Sequence, residues 1–124
     1  MNFPKELKYN ADNLWFAVDG DTVKVGLTDY AQDQLGDINY VELPDVDATF
    51  GAGETFSTVE STKTDIDLSL PFEATVVAVN EDLDDSPENI NEDPYGAWIA
   101  EFKAADVDGL MTAEEYEAQL PEEE

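Results

Sequence analysis

Apolar and polar residues follow one another along this chain in short blocks, not in long helical faces. Residues 14–18, Leu-Trp-Phe-Ala-Val, form an apolar run that stops at Asp19-Gly20-Asp21, a hairpin turn signal. Thr22-Val23-Lys24-Val25-Gly26 then alternates strictly, which sets one face of a strand against a core and the other in water. Residues 28–36 change period. Thr28 suits a helix N-cap, Asp29 suits the positive helix end and Gly36 suits the exit, so a short helix is predicted there. Residues 38–43 read as a strand stopped by Pro44, and 45–54 as a loop with Gly51 and Gly53. Two further strands, 55–59 and 66–70, flank a six-residue turn, Glu60-Ser61-Thr62-Lys63-Thr64-Asp65. Residues 74–79, Ala-Thr-Val-Val-Ala-Val, are the most strongly β-prone stretch.

The remainder is more polar. Residues 80–94 read as a loop in which Ser86-Pro87 can open a short helix. A last strand over 97–102 offers Trp98, Ile99 and Phe102 to the core. Thr112-Ala113-Glu114-Glu115 has capping-box spacing, which predicts a terminal helix to Leu120 before Pro121, with 122–124 fraying. Short strands at roughly 8–12-residue spacing predict a mainly β sandwich or barrel with small helices attached. The 124 residues fit one domain, 1–124, with no linker.

Composition narrows the chemistry. With no Cys there is no disulfide framework or thiol nucleophile. With no His there is no Ser-His-Asp triad and no imidazole ligand. The net charge of −26 repels phosphate backbones and anionic lipid, so neither nucleic acid nor a membrane surface is an expected partner. No apolar run approaches the roughly 20 residues of a membrane span, and residues 1–10 lack the apolar stretch of a signal peptide. A cytoplasmic monomer is expected. The hydrophobic fraction of 42% supports a packed core and puts the charge on the surface. That surface suits an ordinary cell or a salty, alkaline one equally well. Asp82-Leu83-Asp84-Asp85-Ser86-Pro87 passes for a calcium loop only briefly. Pro87 stands where an EF-hand needs Gly, and Asp93 where it needs a bidentate Glu, so no metal site is expected.

Lys63 stands apart from the other four cations. Lys5 and Lys8 lie in the N-terminal segment, and Lys24 and Lys103 at wet strand positions, whereas Lys63 sits mid-turn between two strands. A lysine at a hairpin tip is where a carrier domain displays a covalent arm. It is more commonly a place for a surface cation that offsets nearby acids.

Longer motifs bear on that choice. Val25-Gly26-Leu27-Thr28-Asp29-Tyr30-Ala31-Gln32-Asp33-Gln34-Leu35-Gly36-Asp37, Tyr40-Val41-Glu42-Leu43-Pro44, Val59-Glu60-Ser61-Thr62-Lys63, Pro71 eight residues later, Val77-Ala78-Val79-Asn80, Asn91-Glu92-Asp93-Pro94-Tyr95-Gly96 and residues 110–120 occur in one order. Together they resemble the H protein of the glycine cleavage system. The resemblance implies a barrel-sandwich hybrid with peripheral helices and a C-terminal helix. It implies lipoate in amide linkage to Lys63, and a carrier that is not itself an enzyme. Glu60 would help a lipoate-attaching enzyme recognise the loop.

Three departures bear on the cargo. Where the family reads Y-x-x-x-H-E-W, Asn13 and Leu14 replace the His and the Glu that helps hold an aminomethyl cargo. Leu70-Pro71-Phe72-Glu73 replaces A-P-V-S, and Pro94-Tyr95-Gly96-Ala97-Trp98 is one residue shorter than P-Y-G-E-G-W. Leucine can neither accept a hydrogen bond nor pair with an ammonium. The expectation drawn from this is a sulfur carrier, similar to the lipoate-binding proteins that serve heterodisulfide-reductase-like complexes. The alternatives are the aminomethyl carrier serving the glycine cleavage enzymes, and an unmodified binding scaffold.

Overall fold

The structure is a computed structural model that describes residues 3–10, 13–104 and 110–120. The strands are β1 (Lys8–Tyr9), β2 (Leu14–Asp19), β3 (Thr22–Leu27), β4 (Ile38–Val41), β5 (Thr49–Phe50), β6 (Thr55–Ser61), β7 (Asp65–Ser69), β8 (Ala74–Val79) and β9 (Ala100–Lys103). The helices are α1 (Asp29–Leu35), α2 (Asp82–Asp85), α3 (Asn89–Glu92) and α4 (Ala113–Gln119). One antiparallel sheet runs β1-β2-β3-β9-β8-β5 and the other β4-β6-β7. The predicted mainly β architecture, a barrel-sandwich with short helices and a C-terminal helix, is what is found.

Both sheets point apolar residues into one core. Phe16, Val25, Val76 and Phe102 come from the larger sheet, and Val41, Phe56, Val59 and Leu68 from the smaller, all buried. Phe56 meets Phe102 edge to face, with ring centroids 5.0 Å apart, across the two layers. The Asp19-Gly20-Asp21 turn closes the β2–β3 hairpin, with Asp19 opposite Thr22 and Gly20 at φ 65°. Trp15 faces Gly26 across that hairpin, and a Cβ on Gly26 would sit 2.7 Å from indole atoms. The indole therefore needs glycine there, and its Nε1 donates to Pro94 O at 2.9 Å.

Both predicted caps form. Thr28 Oγ1 accepts from Ala31 N at 3.1 Å. Thr112 and Glu115 satisfy each other's backbone amides at 3.2 and 2.9 Å. Elsewhere local pattern and structure differ. The 80–94 loop holds two short helices, not one at Ser86-Pro87, and the acidic stretch of the calcium-like motif is helical, with Leu83 buried. The last strand begins at Ala100, although Ile99 is already buried and donates to Val25 O at 2.7 Å. The expected fraying of 122–124 lies outside the described residues.

A second cluster joins the chain's two ends. Tyr9 and Tyr116 stack at 4.9 Å, both wholly buried. The Thr28 hydroxyl lies 2.8 Å from Tyr116 Oη, whose O–H donates to Asn13 Oδ1 at 2.8 Å. The α1 cap, α4 and the left-handed Asn13 (φ 69°) thus share one hydrogen-bonded chain. Burial pushes the Tyr95 and Tyr116 phenols up to about 12 and raises Tyr9 as well. A phenol raised in the fold favours the folded state fully below pH 10, its ordinary value, and loses that contribution as pH rises from 10 toward 12. Melting temperature should therefore fall steeply above pH 10. Tyr116→Phe should lower stability at neutral pH by about 1–2 kcal/mol, roughly 3–8 °C in melting temperature, and should flatten the alkaline fall. An unchanged alkaline slope in this variant would show that Tyr116 is not its source.

Candidate functional site

The lysine turn is tighter than the sequence suggests. β6 runs on to Ser61 and β7 begins at Asp65, so only residues 62–64 lie outside the ladder. Glu60 is a strand residue, exposed, opposite Asp65 on one side and Tyr40 on the other. Two carboxylates directly opposite each other work against the pairing; the ladder forms all the same because Val59 and Ile66, the next pair, turn inward to the core.

Ser61 organises the turn from its base. Its Oγ donates to Thr64 O at 2.7 Å and accepts from Lys63 N at 3.3 Å and Thr64 N at 3.2 Å. The backbone of the apex is thus bonded internally and the Lys63 side chain is left outside, exposed to solvent. Among the described residues the only ion pair within 4.0 Å joins Lys103 to Asp21. Lys63 therefore makes no close ion pair with Glu60 or Asp65. Lys24, by contrast, lies over the Trp98 ring at 5.2 Å.

The apex is also tied to a neighbouring link. Gly36 and Asp37 connect α1 to β4, and Thr62 N donates to Asp37 O at 3.0 Å. Gly36 has φ 76° and ψ −151°, a backbone region essentially reserved for glycine. A Cβ there would lie 3.0 Å from Thr62 Oγ1 and 3.5 Å from Lys63 Cε, so the glycine is the floor under the lysine stem. Local pattern marks Gly36 as a helix exit; its place beneath the lysine turn comes from a contact distant in sequence.

Leu14 is not where its proposed role requires. It is wholly buried in the main core, opposite Leu27 on β3, and so offers no apolar surface on which an arm could rest. The inference from Leu14 to an uncharged sulfur cargo is corrected accordingly. Asn13, the other replacement in that motif, binds Tyr116.

The family model for the glycine cleavage H-protein matches residues 7–123. The chain belongs to the glycine cleavage H-protein family. A glycine cleavage system H protein from Geobacillus kaustophilus is 51% identical over 126 aligned positions, covering 98% of this chain and 99% of the relative. One from Acinetobacter baumannii is 51% identical, covering 97% of this chain and 100% of the relative. The crystal structure of a glycine cleavage system H protein from Mycobacterium marinum superposes with a TM-score of 0.88 at 40% identity, covering 94% of this chain and 98% of that one. As a member of this H-protein family the chain is a carrier serving a multienzyme system, not an enzyme in its own right. No helix among the described residues is long and apolar enough to cross a membrane.

Gly36→Ala tests the floor of the site. The forced backbone conformation should cost about 1–3 kcal/mol, seen as a lower melting temperature. The Thr62 and Lys63 amide resonances should shift more than those of the distant β2–β3 turn. A neutral substitution with unmoved Thr62 and Lys63 signals would contradict this account of Gly36.

Proposed function

We propose that this H-protein family member is the lipoyl carrier of a glycine cleavage system, a single cytoplasmic carrier domain with lipoate in amide linkage to Lys63. The observation that carries the proposal is an exposed, unpaired amine at the apex of a braced three-residue turn, in a chain about half identical to glycine cleavage system H proteins over nearly its whole length. The site fits the group. Amide formation needs an accessible amine, and the turn offers one whose backbone is already satisfied. Lipoate supplies a pair of sulfurs on a long tether, cycling between ring disulfide and dithiol.

The chain's own residues do the holding. Ser61 fixes the turn, Gly36 lies beneath the lysine stem, and the sheet beneath gives the apex a rigid base from which a long arm can reach more than one enzyme. Loss of the lysine charge on acylation leaves a neutral arm. Glu60, exposed three residues before Lys63, presents a carboxylate to the attaching enzyme. With net charge −26, the surfaces complementary to this protein on the attaching enzyme and the glycine cleavage enzymes are basic ones.

The sulfur-carrier reading is set aside. Its physical support was Leu14, which lies in the core, and the relatives named above are glycine cleavage proteins.

Intact mass of the protein incubated with a lipoate ligase, ATP and lipoate should rise by one lipoyl group. Lys63→Ala and Lys63→Arg should gain nothing. Glu60→Gln should still be modified, but more slowly at limiting protein. A lipoyl group found on Lys24 or Lys103 would refute the site.

A further inference from the structure

We propose that Asn91 is a positioning residue for the lysine turn, acting through the Gly36–Asp37 link; the proposal rests on the reading of Lys63 as the attachment site. Asn91 belongs to α3 and lies far from Lys63 in sequence, yet its side-chain amide is fully engaged beneath the turn. Its Nδ2 donates to Gly36 O at 2.7 Å and to Gln32 Oε1 at 3.1 Å, and its Oδ1 accepts from Ile38 N at 2.8 Å. Both donors and the acceptor are used, and Gln32 is itself oriented by donating to Asp29 Oδ1 at 2.8 Å.

The geometry gives these bonds a particular consequence. Ile38 N–H and Asp37 C=O belong to one planar trans peptide, so they point in opposite directions. Asn91 holds the N–H side of that plane, and Thr62 N, at 3.0 Å, binds the carbonyl side. The preceding peptide, whose carbonyl is Gly36 O, is held by the same amide. Asn91 thus sets the orientation of both peptide planes flanking Asp37. One receives the hydrogen bond from the turn, and the other includes the glycine under the lysine stem. Ser61 satisfies the turn internally; the Asp37 bond fixes its attitude to the body. An unguided turn would still display an amine, but in a spread of orientations, and an attaching enzyme that reads the strand ends would find the lysine correctly presented less often.

Asn91→Asp is the informative change. It keeps an acceptor for Ile38 N but turns a carboxylate toward Gly36 O and Gln32 Oε1, both acceptors. Val76→Ala, a buried core truncation on β8 of the larger sheet, serves as a control for general destabilisation. Two quantities are read below the melting range of both variants. One is hydrogen exchange at the Thr62 amide, and the other is kcat/KM for ligase-catalysed lipoate attachment to the full chain. For Asn91→Asp, Thr62 exchange should rise and attachment should fall, each about tenfold, the loss expected for about one hydrogen bond. Val76→Ala should leave both near wild type. Equal Thr62 exchange in Asn91→Asp and wild type overturns the proposal. So does an attachment loss in Val76→Ala matching that of Asn91→Asp. Wild-type protein that accepts no lipoate at all would refute the carrier reading instead, and Thr62 exchange would then decide the role of Asn91 by itself.

Discussion

A two-stranded ribbon is at best marginally stable in water, so a lysine displayed on one depends on whatever covers the ribbon's apolar face. Here β6 and β7 gain β4 as a third strand and press Phe56, Val59 and Leu68 onto the larger sheet. Phe56 meets Phe102 and Phe50 of the larger sheet, two of the contacts that join the layers. Remove that shared core and Ser61, Gly36 and Asp37 have nothing to brace. The layered core therefore comes before the lysine turn energetically.

The charge acts in the opposite sense. With 31 acidic residues against 5 lysines, and a single ion pair among the described residues, most carboxylates on the surface repel one another without local relief. Glu60 opposite Asp65 is the clearest instance. The fold tolerates this because the acids are spread over exposed positions while the core remains apolar, and self-repulsion of exposed charges in water is screened. For a carrier that has to meet several enzymes and leave each again, a like-charged surface also keeps copies apart and speeds encounter with basic partners.

Features encoded by neighbouring residues were legible in the sequence. The Asp19-Gly20-Asp21 turn, the Thr28 cap and the Thr112–Glu115 capping box appear where local chemistry puts them, and β3 alternates as expected through Val25, while Gly26, expected on the wet face, is buried against Trp15. Features that depend on distant pairing were not. β1 and β5 are two-residue strands that exist because Tyr9 meets Trp15, and Thr49 meets Thr75, neither of which local pattern reveals. The two short helices α2 and α3 have Glu81 and Glu88 at their N-cap positions, neither making a side-chain cap, which leaves no signal of their starts. The place of Lys63 in a turn between two strands was legible from local pattern, and β6 and β7 flank it in the structure. Leu14 was misread because comparing residue types says what was replaced but not which way a side chain points. In β2, where Leu14, Trp15 and Phe16 are all buried, alternation cannot say either.

Carbon dioxide release from glycine by a glycine decarboxylase tests the carrier assignment most directly. It should be measured with this protein as the acceptor in its lipoylated form, its unmodified form, and as Lys63→Ala treated with the same ligase. Release should rise and saturate with the lipoylated protein and stay at background with the other two. Background rates with fully lipoylated protein, or equal stimulation by all three, would contradict the account.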